Sequence, residues 1–272
     1  MPLPLTVSCS VNPDWFYLSG TDYPGSPGQR AVKQVYVCVC FTYLSVCYIE
    51  CTDCWLLTGT YPCGDLGFAP VAVFGLGDKS VIAASTANEQ SHVAIMAVDG
   101  GEMVTTLKPQ QTAGMVMDIK AGGEDLVMAG YEDGSIVVWD IRFPQHDKNC
   151  AKLHNEAVSS FDYCERTQRG VSASVDGSLM SWGGIELMRT ATAHIKGGAA
   201  CVRARPDGKL FAVGGCDSRI HIYSGSPKLL RLAVVRAHTQ SVQSLAFNNC
   251  DQTFAAGSRD KTVSMWSIYK DS

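Results

Sequence analysis

Four segments in the second half of the chain align without gaps, and this repeat constrains the fold more than any other feature. They are Ala129-Gly-Tyr-Glu-Asp133-Gly-Ser-Ile-Val-Val-Trp139, Ser172-Ala-Ser-Val-Asp176-Gly-Ser-Leu-Met-Ser-Trp182, Val213-Gly-Gly-Cys-Asp217-Ser-Arg-Ile-His-Ile-Tyr223 and Ala256-Gly-Ser-Arg-Asp260-Lys-Thr-Val-Ser-Met-Trp266. The aspartates lie 43, 41 and 43 residues apart, and an aromatic residue follows each by six positions. Histidine precedes three of them: His154 lies 22 residues before Asp176, His194 lies 23 before Asp217, and His238 lies 22 before Asp260. The first copy has Gln111 in that place. A period of ~40–45 residues is that of a propeller blade, a four-stranded unit that buries its apolar faces only by stacking on its neighbours.

Each unit can be read strand by strand. Ala157-Val-Ser-Ser-Phe161 and Ser241-Val-Gln-Ser-Leu-Ala-Phe247 read as inner strands, and Gly170-Val-Ser-Ala-Ser174 and Phe254-Ala-Ala-Gly-Ser258 as second strands with small residues for close packing. The Asp-Gly-Ser, Asp-Ser-Arg and Asp-Lys-Thr steps are tight hairpin turns. A third strand then alternates into the aromatic residue, whose ring covers the blade interface. Upstream, Pro70-Val-Ala-Val-Phe74, Ser80-Val-Ile-Ala-Ala84, His92-Val-Ala-Ile-Met96 and Met103-Val-Thr-Thr-Leu107 read as a degenerate blade. The expectation is an all-β propeller with about five recognisable blades in residues 60–272, part of an incomplete seven-bladed ring. Residues 1–59 form an atypical N-terminal segment, cysteine-rich at 35–55, in which no strand for closing the ring is evident.

Composition narrows the function classes. A net charge of −4 with no cluster of Lys and Arg excludes nucleic acid as the expected partner. Val35 to Ile49 is an uncharged run of 15 residues, short of the ~17–25 that a spanning helix needs and rich in strand-forming residues, so no membrane span is expected. The start, Met1 to Ser10, lacks the basic and apolar regions of a secretory signal, and the twelve cysteines then read mostly as reduced, buried thiols. Cys51-Thr-Asp-Cys54 with Cys47 and Cys63 could offer four thiolates to zinc, but a single CxxC favours an atypical strand, and no metal or cofactor is expected. Gly75-Leu-Gly77-Asp-Lys79-Ser80 lacks the spacing and the following helix of a phosphate loop.

The repeats resemble the WD-repeat family. Residues 129–141 and the ending Ala256-Gly-Ser-Arg-Asp-Lys-Thr-Val-Ser-Met-Trp-Ser-Ile-Tyr269, with Leu107-Lys-Pro109, are similar to the guanine nucleotide-binding protein β subunit-like 1 family. The resemblance covers about residues 60–272 and implies a WD-repeat β-propeller. It also implies structural tetrads in which His154 bonds Asp176, His194 bonds Asp217 and His238 bonds Asp260, supported by Trp182, Tyr223 and Trp266, with Asp133 and Trp139 the remnant of a fourth. That family is similar in turn to the fungal ASTRA-associated subunit. The likeness implies a scaffold that works with a co-chaperone assembly on the maturation of phosphatidylinositol 3-kinase-related kinases, as a monomer within a larger complex, in cytoplasm and nucleus.

Three His–Asp pairs at one spacing suit repeated structural locks rather than one active site, which needs a nucleophile and a pocket as well. The chain is therefore expected not to be an enzyme, and a propeller hydrolase is the more distant alternative. A G-protein β-like signalling adaptor is the nearer one. Pro13, Pro24 and Pro27 with Gly20, Gly25 and Gly28 forbid the N-terminal coiled coil that a γ subunit would need. By the same resemblance the residues just before the turn aspartates, Glu132, Val175, Cys216 and Arg259, face the rim where partners dock. Arg259 has the side chain most enriched at binding hot spots.

Overall fold

The computed structural model describes residues 71–268 apart from 77–78, 87–88, 98–101, 124 and 249–252 (backbone only at 75–76 and 79–80), and before them the backbone of four strands. Among the described residues, 23 strands form six antiparallel sheets, each a simple meander. The first sheet holds β1 (Leu18–Thr21), β2 (Gln34–Cys40), β3 (Tyr43–Glu50) and β4 (Cys54–Pro62). The second holds β5 (Ala72–Leu76), β6 (Lys79–Ser85), β7 (Val93–Ala97) and β8 (Met103–Leu107). The third holds β9 (Val116–Ala121), β10 (Leu126–Tyr131), β11 (Ser135–Asp140) and β12 (Asp147–Lys152). The fourth holds β13 (Val158–Cys164), β14 (Arg169–Ser174), β15 (Ser178–Gly183) and β16 (Met188–His194). The fifth holds β17 (Ala199–Ala204), β18 (Leu210–Gly215), β19 (Ile220–Ser224) and β20 (Arg231–Val235). The sixth holds β21 (Val242–Phe247), β22 (Thr253–Ser258) and β23 (Val263–Ser267). Inner strands β1, β5, β9, β13, β17 and β21 follow one another side by side, the arrangement of propeller blades.

The sheets after residue 70 match the five blades expected there. The segment set apart as atypical carries a sheet as well, and Val35–Ile49 falls mostly within two of its strands, paired from Gln34 opposite Ile49 to Cys40 opposite Tyr43. The repeat was invisible there because the segment lacks the Asp-to-aromatic spacing, not because it lacks strand-forming residues. The candidate thiolates Cys47, Cys51, Cys54 and Cys63 lie outside the described side chains. Among the described residues no helix is long and apolar enough to cross a membrane.

Each sheet from the second to the sixth is apolar on both faces, so its core lies between sheets rather than within one. Ile95, Val81 and Ala83 of the second sheet meet Val116, Val127, Val137 and Trp139 of the third. The opposite face of the third, with Met128, Ile136 and Val138, meets Val158, Phe161 and Trp182 of the fourth. The same pattern joins the fourth to the fifth and the fifth to the sixth. Small residues on the second strand make room: a Cβ at Gly130 would lie 2.8 Å from Val158 Cγ1, and one at Gly214 would lie 2.9 Å from Val242 Cγ1. Among the described residues nothing covers the far face of the sixth sheet. Ile136, Leu179 and Ile220 are 0% exposed, whereas Val263 at the equivalent position is 73% exposed and Met265 is 76% exposed.

Polar side chains stitch the inner strands across the sheets. Ser160 Oγ and the Phe161 N–H donate to Asp118 Oδ2 at 2.8 and 3.0 Å. The Val202 N–H donates to Ser160 Oγ at 3.2 Å, and the Ala204 N–H donates to Asp162 Oδ2 at 2.7 Å. Adjacent inner strands share no ladder, so these carboxylates and hydroxyls bind backbone and side-chain donors that would otherwise be buried unpaired.

The hairpin turns impose a second constraint. The residue after each turn aspartate is left-handed: Gly134 at φ 89°, Gly177 at 88°, Ser218 at 66° and Lys261 at 68°. Glycine adopts this backbone freely, and other residues pay ~1–2 kcal/mol for it. A Cβ at Gly177 would also collide with the Ile195 carbonyl oxygen. Gly177→Ala should therefore cost about 2 kcal/mol or more in urea unfolding, while Lys261→Gly should be neutral or stabilising by up to about 1 kcal/mol. Equal losses in both variants would contradict this account.

Candidate functional site: the turn-bearing rim

The turns between second and third strands build one rim of the array, and the aspartates organise it. Asp133 Oδ1 accepts from the Ser135 N–H at 2.9 Å and Asp176 Oδ1 from the Ser178 N–H at 2.7 Å. Asp217 Oδ1 accepts from the Arg219 N–H at 3.1 Å and Asp260 Oδ1 from the Thr262 N–H at 2.9 Å. In every copy the carboxylate closes its own turn, two residues on, as short acidic side chains do.

Beyond the turn the four copies diverge. In the sixth sheet His238 Nδ1 donates to Asp260 Oδ2 at 3.2 Å, Ser264 Oγ donates to His238 Nε2 at 2.8 Å, and Trp266 Nε1 donates to Ser264 Oγ at 2.9 Å. A carboxylate can only accept, so the bond to Asp260 places a proton on His238 Nδ1. The Thr262 hydroxyl above all, then the Thr239 and Thr262 amides and His238, hold the Asp260 carboxyl far below the usual range.

His154 and His194 do not reach the expected aspartates. His154 is buried between Ser178 Oγ and Ser172 Oγ, each at 2.8 Å. His194 is exposed, and Asp217 instead meets His221 Nε2 at 3.2 Å. The reason lies two residues before each aromatic. Ser264 stands there in the sixth sheet and completes the relay, but the other copies have Val137, Met180 and His221. His221 reaches Asp217 directly. Valine accepts nothing and a thioether only weakly, and the buried indole N–H groups of Trp139 and Trp182 have no acceptor. Those rings are held by packing instead: Trp182 stacks on Tyr163 at 5.3 Å and Trp139 meets Tyr131 edge-on at 6.3 Å. Tyr223 is buried in the same position of the fifth sheet.

The residues just before the aspartates share one geometry. The backbone N–H of Glu132 donates to Met115 O at 2.9 Å, Val175 to Ala157 O at 3.1 Å, Cys216 to Gly198 O at 3.0 Å and Arg259 to Ser241 O at 3.0 Å. Each bond ties the turn to the loop entering its own sheet, and all four side chains are exposed. The Glu132 carboxylate also accepts from the Met115 N–H at 3.2 Å. The rim thus offers a fixed backbone with four exposed side chains of mixed chemistry, of which Glu132 is tied back to Met115. Among the described residues, no group of three or more His, Cys, Asp or Glu could hold a metal ion. The hydroxyls of Ser172, Ser178, Thr262 and Ser264 were not singled out in the sequence, because serine and threonine are common throughout strands and turns.

The family described as WD domain, G-beta repeat matches residues 185–224 and 230–267. The mouse guanine nucleotide-binding protein subunit beta-like protein 1 is 31% identical over 217 residues, covering 75% of this chain and 65% of that protein. ASTRA-associated protein 1 of Schizosaccharomyces pombe is 26% identical over 240 residues, covering 76% of this chain and 60% of that protein. The chain therefore spans somewhat under two thirds of the length of these relatives. A chain in a crystal structure of the mitotic checkpoint complex superposes with a TM-score of 0.71 at 15% identity, over 88% of this chain and 72% of that one, a likeness of fold.

Two outcomes test the rim's internal chemistry. Asp260→Ala removes the turn closure and leaves His238 without its carboxylate, so the melting temperature should fall by a few degrees, and an unchanged value would argue against the relay. Burial pushes the His154 imidazole from 6.5 down to about 4, with Arg189 adding to the effect and Asp176 opposing it. The unfolded chain then takes up a proton near pH 6.5 that the folded site refuses until about pH 4, so this stability is full above 6.5 and is lost as pH falls through that window. His154→Gln should flatten the slope of melting temperature against pH between those limits.

Proposed function

The chain is a WD-repeat β-propeller protein, and from that premise we propose that it is a non-catalytic scaffold docking protein partners on the rim of Glu132, Val175, Cys216 and Arg259. The observation that carries this reading is the repeated lock behind those residues. Four equivalent backbone bonds hold the turns, so little ordering entropy is lost when a partner engages the side chains. The turn aspartates are each committed to a hairpin, which supports a role outside catalysis.

The finer reading is that the partners are subunits of a co-chaperone assembly and the large phosphatidylinositol 3-kinase-related kinases that it matures, in cytoplasm and nucleus. Similarity to a fungal protein that carries association with ASTRA in its name supports a place within a larger complex. In this role the chain acts as a monomeric subunit.

The test is recovery of partners by the tagged full chain from cells, read by mass spectrometry. Co-chaperone subunits and the kinases are expected with the wild type. Arg259→Ala should reduce their recovery about tenfold or more at an unchanged melting temperature, as for a central hot spot. Undiminished recovery would remove Arg259 from the interface, and recovery of general folding chaperones alone would overturn the kinase-maturation reading.

A further inference from the structure

The outer circumference carries a second interaction surface, away from the rim. We infer that β20 is a docking edge to which an extended acidic and apolar segment of a partner protein adds as a further strand. The inference rests on the scaffold reading and names a different surface and a recognition chemistry for it.

Among the described residues β20 pairs with β19 alone, on one side. An edge strand presents unpaired N–H and C=O groups, and proteins commonly blunt such edges with charged residues. β12 and β16 follow that practice to different degrees, whereas β8 carries no charge and exposes the adjacent Met103 and Val104 at 58% and 44%. β12 carries Asp147, Lys148 and Lys152, and β16 exposes Arg189, Thr190, Thr192 and His194 with Met188. β20 differs. Leu230 just before it and Leu232 and Val234 within it are 55%, 56% and 37% exposed, an alternating apolar row on an open edge.

Charge says what covers the row. No acidic residue occurs between Asp217 and Asp251, while Arg219, Lys228, Arg231 and Arg236 all do, in a chain whose net charge is −4. Lys228, Arg231 and Arg236 are exposed around the apolar positions. A segment alternating carboxylates with branched apolar residues matches both features. Its backbone extends the sheet, its apolar side chains lie against Leu232 and Val234, and its carboxylates meet the cations.

The experiment uses the full chain and a fluorescein-labelled, end-blocked peptide alternating glutamate with valine, followed by anisotropy and by hydrogen exchange. Saturable binding is expected, with amide protection gained over residues 230–236 and none at the rim. Leu232→Asp and Arg231→Glu should each weaken binding about tenfold or more at wild-type melting temperatures, and raised salt should weaken it as well. A peptide alternating lysine with valine should fail to bind. Absence of saturable binding, equal binding of the lysine peptide, or protection at the rim alone would each overturn the proposal. Arg259→Ala should leave peptide affinity unchanged, so failure at the rim and failure at this edge are told apart.

Discussion

A sheet that is apolar on both faces cannot stand alone in water, and this constraint governs the rest of the structure. Every one of the sheets from the second to the sixth buries at least one face against a neighbour. The consequences appear at single positions. The second strand keeps glycine or alanine where the next inner strand arrives, as at Gly130, Ala173 and Gly214. Inner strands carry Asp118, Ser160 and Asp162 to reach the neighbouring backbone, because no ladder joins one sheet to the next. Stacking leaves two places unconsumed, the turns at the rim and the outer strands.

The turn aspartate gives the rim its definition, and its first task is local. It closes a two-residue step into the third strand in every copy, whether or not a histidine is near. The longer relay to histidine, serine and tryptophan is an addition present in full only in the sixth sheet. Among the second to sixth sheets it is the one whose third strand exposes its far face, at Val263 and Met265. Better-covered sheets hold their aromatic rings by packing and leave the indole N–H groups of Trp139 and Trp182 without acceptors.

Much of this was legible in the sequence. The spacing from aspartate to aromatic residue located the third strands, and the register of Met128 opposite Val138 and Ser172 opposite Met180 follows directly from those turns. The histidine partners were less legible. Spacing alone pairs His194 with Asp217, but the contact depends on what stands two residues before the aromatic, and His221 takes that place. The first sheet was missed because strand-forming composition without a repeated turn does not announce a blade. The docking edge at β20 was missed too, because Leu232 and Val234 look like core residues until exposure is known.

The bonds across the inner strands decide how far a single substitution is felt. Ser160 donates to Asp118 and accepts from the Val202 N–H, so one hydroxyl in the fourth sheet touches the third and the fifth as well. Its loss would strip a partner from a buried carboxylate on one side and from an amide on the other, and a change confined to one sheet would disturb two more.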